Sequence, residues 1–249
     1  CWEMSEWRSG RQVPSPTTRQ AEATLRTLAR IHLAIRPAGG DEGERRARPP
    51  AWGRRVEALR AVIARGWEGP APGSGPPLLA AVAERRAAAA SILRRRVGVG
   101  WLSRLAALEP AAVPLQPVLR DVWQAHLLFV GDEVSAVIDW HAAGIDTTAA
   151  DLARLLGSWQ ASRSPSVEGA PPSVEWSGAL EAYREIRPLA EEELALVDLL
   201  HLTGVVGSLH HWFTWVLDEG RAYADPAAVL ARIDSLLETF RFSAEQADP

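Results

Sequence analysis

Three residues within one stretch of the chain have the types and spacing to do chemistry together: Asp121, His126 and Asp139. Between the last two lie two short β-prone runs, Leu127 to Val130 and Val134 to Ile138, separated by Gly131-Asp132-Glu133. That pattern predicts an antiparallel hairpin. The residue before the first strand of such a hairpin lies beside the end of the second, so His126 is expected next to Ile138 and Asp139. Asp121, in the loop Leu119-Arg120-Asp121-Val122-Trp123-Gln124-Ala125-His126, leads into the same edge. Two carboxylates and an imidazole at one end of a hairpin can bind a metal ion or share a proton-transfer task. Each also has a plainer reading. Asp121 can be a turn carboxylate capping a backbone amide, Asp139 a solvated acid at a strand end, and His126 a core histidine among apolar neighbours.

The elements that must position these groups are mostly helical. From Thr18 to Ile35, Ala21, Leu25, Leu28, His32 and Ile35 recur at three- and four-residue spacing after a Pro-Ser-Pro-Thr-Thr start signal, which predicts an amphipathic helix. Further helices are expected over Trp52 to Arg65, Leu78 to Arg96, Trp101 to Leu108, Thr148 to Trp159, Trp176 to Ile186, Glu191 to Leu217 and Pro226 to Phe240. Breaks rich in Gly, Pro and Ser separate them. The fold class is therefore mainly α with a small β-hairpin, an α+β body, and residues 1–249 are expected to form one domain.

Composition removes several function classes. The net charge is −4, from 27 basic and 31 acidic residues mixed along the chain, so no basic field favours nucleic acid. No uninterrupted apolar run approaches the roughly 20 residues that cross a bilayer, so no membrane partner is expected. The single cysteine, Cys1, excludes an internal disulfide framework, and a reducing cytoplasm fits best. There is no lysine and no asparagine in the chain. A start at Cys1 rather than methionine is expected to be a truncated one. A lipidated N-terminal cysteine is the alternative reading.

The stretch from Val118 to Leu156, with Asp121, the hairpin, Ile138-Asp139-Trp140 and Asp151-Leu152-Ala153, resembles the catalytic core of the aminoglycoside phosphotransferase and choline kinase family. Residues 114–156 would then hold the catalytic loop, the metal-binding hairpin and the helix that follows. Trp2 to Gly10 is similar to the hinge-like segment joining the two lobes of that family. The resemblance implies the larger, helical lobe of a protein-kinase-like fold, with the β-rich N-terminal lobe and its phosphate-binding lysine missing, and a fragment inactive alone. Neither Gly73-Ser74-Gly75 nor Gly98-Val99-Gly100 has the strand context or third glycine of a phosphate loop.

On this resemblance, the activity is transfer of the γ-phosphate of ATP to a hydroxyl of a small molecule. Asp121 falls on the catalytic aspartate and Asp139 on the metal-binding one, holding Mg²⁺, or Mn²⁺, on the nucleotide phosphates. His126 stands where the family has its second ligand, an asparagine. Imidazole suits Mn, Fe or Zn better than Mg, so His126 would ligate weakly, act through water, hydrogen-bond Asp121, or mark lost activity. Leu119 and Arg120 replace the usual His-Gly, and Arg120 would meet nucleotide phosphate or pair with an acid. Two other functions stay open: a catalytically impaired nucleotide-binding or regulatory relative, and a metal-dependent hydrolase using Asp121, His126 and Asp139. Trp123 and Trp140 would pack the loop or line an acceptor pocket. Asp151 reads as a capping-box acid with Thr148, or as the family's support for the catalytic loop. His32 reads as core, and Glu191-Glu192-Glu193 as an acidic first turn of a helix.

Overall fold

The computed structural model describes residues 7–37, 45–67, 69, 76–94, 109–160 and 176–246. These comprise seven helices, α1 (Thr18–Ala34), α2 (Pro50–Arg65), α3 (Pro77–Ile92), α4 (Thr148–Gln160), α5 (Trp176–Arg184), α6 (Glu191–Phe213) and α7 (Pro226–Gln246). Six short strands accompany them: β1 (Arg46–Ala47), β2 (Val113–Pro114), β3 (Gln116–Val118), β4 (Leu127–Val130), β5 (Glu133–Val137) and β6 (Gly144–Asp146). The mainly helical class expected from the sequence is what forms. The helix expected over 101–108 lies outside the described residues.

The chain divides into two compact units. The first gathers Cys1–Ala47, Ala112–Arg163 and Gly169–Val197. Its α1 starts at a capping box in which the Thr17 hydroxyl accepts from the Gln20 N–H and the Gln20 side chain accepts from the Thr17 N–H. One face of α1, with Ala21, Leu25, Leu28, Ala29 and His32, is buried, and the helix packs against α5. Leu25 is fully enclosed, so truncation to alanine there should cost about 2–5 kcal/mol.

The hairpin pairs β4 with β5 in the expected register, Leu127 opposite Val137 and Val130 opposite Glu133, with an irregularity between Leu128 and Phe129. Gly131, at φ +61°, turns it. The sequence reading of a single hairpin needs correction, because β3 pairs antiparallel with β6 and β1 with β2. These ladders are two or three residues long, too short for alternation to show. The segment before α1 is tied to the hairpin, where Arg11 and Phe129 exchange both backbone hydrogen bonds (3.0 and 2.9 Å).

The second unit gathers Arg48–Ala111, Ser164–Glu168 and Asp198–Pro249. Here α2 begins on Pro50 and ends at Gly66 in the left-handed region (φ +59°). Its core joins Leu59, Val62, Val82, Val206, Leu209, Ile233 and Leu237, with Trp67 meeting Phe213 and Phe240 edge-on at 5.7 and 5.5 Å.

The span Glu191–Asp218 is long and apolar enough to cross a membrane, which a count of uninterrupted apolar runs had not detected. Of its apolar residues, Leu196, Val197, Leu200, Val205, Val206, Leu209 and Phe213 are buried, and Leu199, Leu202 and Trp212 are partly buried against the second unit's core. Its first turn carries Glu191, Glu192 and Glu193, as the sequence predicts. Glu193 is buried, accepts from both terminal nitrogens of Arg187 (3.2 Å) and caps the Ala190 N–H (3.1 Å), so it is no solvated acid.

Candidate active site

The loop between β3 and β4 is held by one carboxylate. Asp151, fully buried in the first turn of α4, accepts the N–H of Leu119 at Oδ2 (2.8 Å) and of Arg120 at Oδ1 (2.7 Å). The capping-box reading of Asp151 is thereby corrected. The helix start is served by Thr147, whose hydroxyl accepts from the Ala149 N–H at 3.3 Å, and the aspartate faces the loop instead. His32 is buried, as expected of a core residue, and its Nε2–H donates to Asp151 Oδ2 (3.0 Å) while Nδ1 accepts from the Tyr183 hydroxyl (2.7 Å). Burial pushes that phenol well above its ordinary value.

With its backbone fixed this way, the loop turns sharply at Arg120, whose φ of +65° is a conformation that favours glycine. The Arg120 guanidinium crosses Gly144, and Nε lies 3.9 Å from the buried carboxylate of Asp146. A Cβ at Gly144 would stand 2.5 Å from Arg120 Nη1, so the absence of a side chain there is what admits the arginine.

Asp121 follows, partly exposed, and receives Arg154 from the next turn of α4. Nε (3.1 Å) and Nη2 (3.0 Å) both donate to Oδ1. The Arg154 guanidinium also lies 5.9 Å from the centre of the Trp123 ring. The Trp123 indole N–H donates to His126 Nε2 (2.8 Å), so His126 carries its proton on Nδ1, which donates to the Asp121 carbonyl (2.8 Å). A single turn of 3₁₀ helix, Gln124–His126, then delivers the chain into β4.

The Ile138 N–H donates to the His126 carbonyl at 2.9 Å, closing the hairpin and bringing Asp139 alongside as the sequence predicted. His126 Nε2 is 3.4 Å from Asp139 Oδ2. Asp139 has φ +64° and its other oxygen accepts from His141 Nδ1. That hydrogen bond, against a smaller opposing cost of desolvation, holds the Asp139 carboxyl below its ordinary value, and the charge of His141 adds to it. Trp140 remains partly exposed, with its indole N–H on the Val137 carbonyl.

The structure therefore brings the Asp121 backbone carbonyl and the Asp139 carboxylate to either side of the His126 ring, and directs Arg120 toward Asp146. Among the described residues, no group of three His, Cys, Asp or Glu side chains is arranged to hold a metal ion. An exposed carboxylate such as Asp139 nevertheless suits a hard cation that takes its other ligands from water and phosphate. The His126 ring fits such an ion poorly, since both of its nitrogens are already engaged. Sequence reasoning missed Arg154, Asp146 and His141. Arg154 lies three residues beyond Asp151 on the helix, a spacing that puts it one turn higher on the face toward the loop, and this was the available signal.

A mainly helical body in which a backbone-anchored carboxylate loop meets a short carboxylate-ended hairpin is compatible with a protein-kinase-like phosphotransferase fold. The phosphotransferase enzyme family matches residues 2–189, and the chain belongs to that family. A homoserine kinase of Methylobacterium nodulans is 32% identical over 191 residues, 77% of this chain and 50% of that protein. The chain spans roughly a third to a half of the length of the curated relatives it matches. Among solved structures, a spectinomycin phosphotransferase in complex with ADP and spectinomycin aligns with a TM-score of 0.58 and 14% identity, over 95% of this chain and 69% of that one. An amicoumacin kinase in complex with AMP-PNP and Ca²⁺ aligns with a TM-score of 0.53 and 17% identity, over 98% and 64%.

Proposed function

We propose that the protein carrying this chain transfers the γ-phosphoryl group of ATP to a hydroxyl of a small molecule. The observation that carries the reading is the meeting of the Asp121 loop and the Asp139 hairpin end through His126, at 2.8 and 3.4 Å. Membership of the phosphotransferase family supports it, and the homoserine kinase relatives make a hydroxy amino acid the first acceptor to try. In this reading residues 1–249 are the larger helical lobe, consistent with a chain that holds no lysine to touch phosphate. The single cysteine fits a reducing, cytoplasmic setting.

Asp121 accepts the acceptor's proton at Oδ2 as the acceptor oxygen bonds to the γ-phosphorus, and the bond from that phosphorus to the bridging oxygen of ADP breaks. A divalent cation, Mg²⁺ or Mn²⁺, neutralises phosphate charge when bound, and Asp139 is the residue that would hold it. His126 serves as the organiser of the loop rather than as a second ligand. Arg120 is proposed to hold the loop to Asp146 rather than to bind nucleotide.

The test is magnesium-dependent ATP turnover by the intact protein, with homoserine, amino sugars and amino alcohols as acceptors. Asp121→Asn should lower kcat by about 10²–10⁴-fold, and Asp139→Asn should raise the metal concentration required. Turnover indifferent to Asp121 would sink the proposal. A second reading, a nucleotide-binding relative without turnover, is favoured by the engaged ring of His126 in a ligand position. ATP binding by a folded protein that turns over with neither Mg²⁺ nor Mn²⁺ would establish it.

A further inference from the structure

We infer that Arg154 is a positioning residue for phosphoryl transfer, aiming one oxygen of Asp121 at the acceptor. The inference rests on the function proposed above. Nε and Nη2 of Arg154 converge on the same oxygen, Oδ1, at 3.1 and 3.0 Å. Among the described residues Oδ2 has no hydrogen bond, and the Asp121 side chain is 37% exposed, so that oxygen is the one left for an incoming hydroxyl. Rotation of a carboxylate about its Cβ–Cγ bond is otherwise broad. Two donors on one oxygen, from a planar guanidinium, remove that freedom.

The arginine is itself held. It rests beside the Trp123 ring, the Trp123 indole donates to His126, and His126 donates to the Asp121 carbonyl. Arg154, Asp121, His126 and Trp123 thus close a ring of contacts in which side chain and backbone of Asp121 are restrained from opposite sides. A transfer that relies on in-line positioning more than on proton removal depends on such restraint.

The experiment compares kcat and KM of the intact wild-type protein with Arg154→Ala, Arg154→Gln, Arg154→Lys and Asp121→Asn, each checked for folding by thermal melts. Arg154→Ala should lose roughly 10–100-fold in kcat with KM for ATP within about twofold. Guanidinium ion at tens of millimolar should restore part of that loss, where equal sodium chloride does not, and lysine should retain more activity than glutamine. Unchanged kcat in a folded Arg154→Ala protein would overturn the inference while Asp121→Asn still reports on the reaction. A loss that neither guanidinium nor lysine relieves would also overturn it, by reducing Arg154 to a packing role. A wild type without turnover would overturn the proposed function, and this inference with it.

Discussion

His32 and Asp151 stand 119 residues apart in the sequence and meet in the interior, Nε2 to Oδ2 at 3.0 Å, with neither side chain exposed. The same carboxylate receives two backbone N–H groups of the loop that carries Asp121. A buried carboxylate is tolerable when N–H donors surround it, and here three do. Asp151→Asn would keep the shape and lose the match, because the amide NH₂ must face at least one of those donors. The expected loss is about 3 kcal/mol or more in urea unfolding. A loss below about 1 kcal/mol would show that the loop is held by something other than this carboxylate.

Tyr183 completes the chain of contacts by donating to His32 Nδ1 at 2.7 Å. Tyr183→Phe removes only the hydroxyl, leaving a buried imidazole nitrogen without its donor in a site closed to water. We expect about 1–3 kcal/mol of destabilisation. In a double-mutant cycle with Asp151→Asn the two effects should be non-additive by at least about 0.5 kcal/mol, since both act through one imidazole.

Much of this site was legible in the sequence. The meeting of His126 with Asp139 follows from hairpin register alone, because strand length and turn position fix which residues face each other. The helices followed from apolar spacing and capping residues. What was not legible depends on packing between distant segments. Nothing local says that Asp151 faces the Leu119 and Arg120 amides rather than its own helix start, or that the Glu193 carboxylate turns inward to Arg187. The β3–β6 pairing was hidden for another reason. Three residues give too short a pattern, and the contact that explains Gly144 is with Arg120, far off along the chain.

That contact carries its own prediction. At Gly144 an added methyl group would meet Arg120 Nη1, the far end of a flexible side chain, so the arginine must swing and its contact with Asp146 must lengthen. Gly144→Ala should cost about 1 kcal/mol in thermal or urea melts. In the background of Arg120→Ala the same substitution should cost nothing or stabilise slightly, because the obstruction is gone and alanine narrows the unfolded ensemble. Equal costs in both backgrounds would place the strain in the backbone instead.

The second unit supplies a pH dependence of its own. His201 on α6 is held at about 4, against an ordinary 6.5, first by desolvation and then by the charge of Arg55. Desolvation also lowers His210 and His211. A histidine that stays neutral in the folded state while the unfolded chain takes up a proton leaves stability intact above pH 6.5. It withdraws stability as the pH falls from 6.5 toward 4. For His201 the full withdrawal is at most about 3 kcal/mol, and less to the extent that water reaches its partly exposed ring. Asp198, exposed at the surface but raised by partial desolvation, acts in the opposite direction over the acidic range. Comparison of wild type with His201→Gln isolates the histidine. Unfolding free energies measured in urea from pH 7.5 to 4.5 should fall more steeply for wild type than for the variant, the gap opening below pH 6.5. Parallel curves would mean that the His201 ring is protonated as readily in the folded protein as in the unfolded chain.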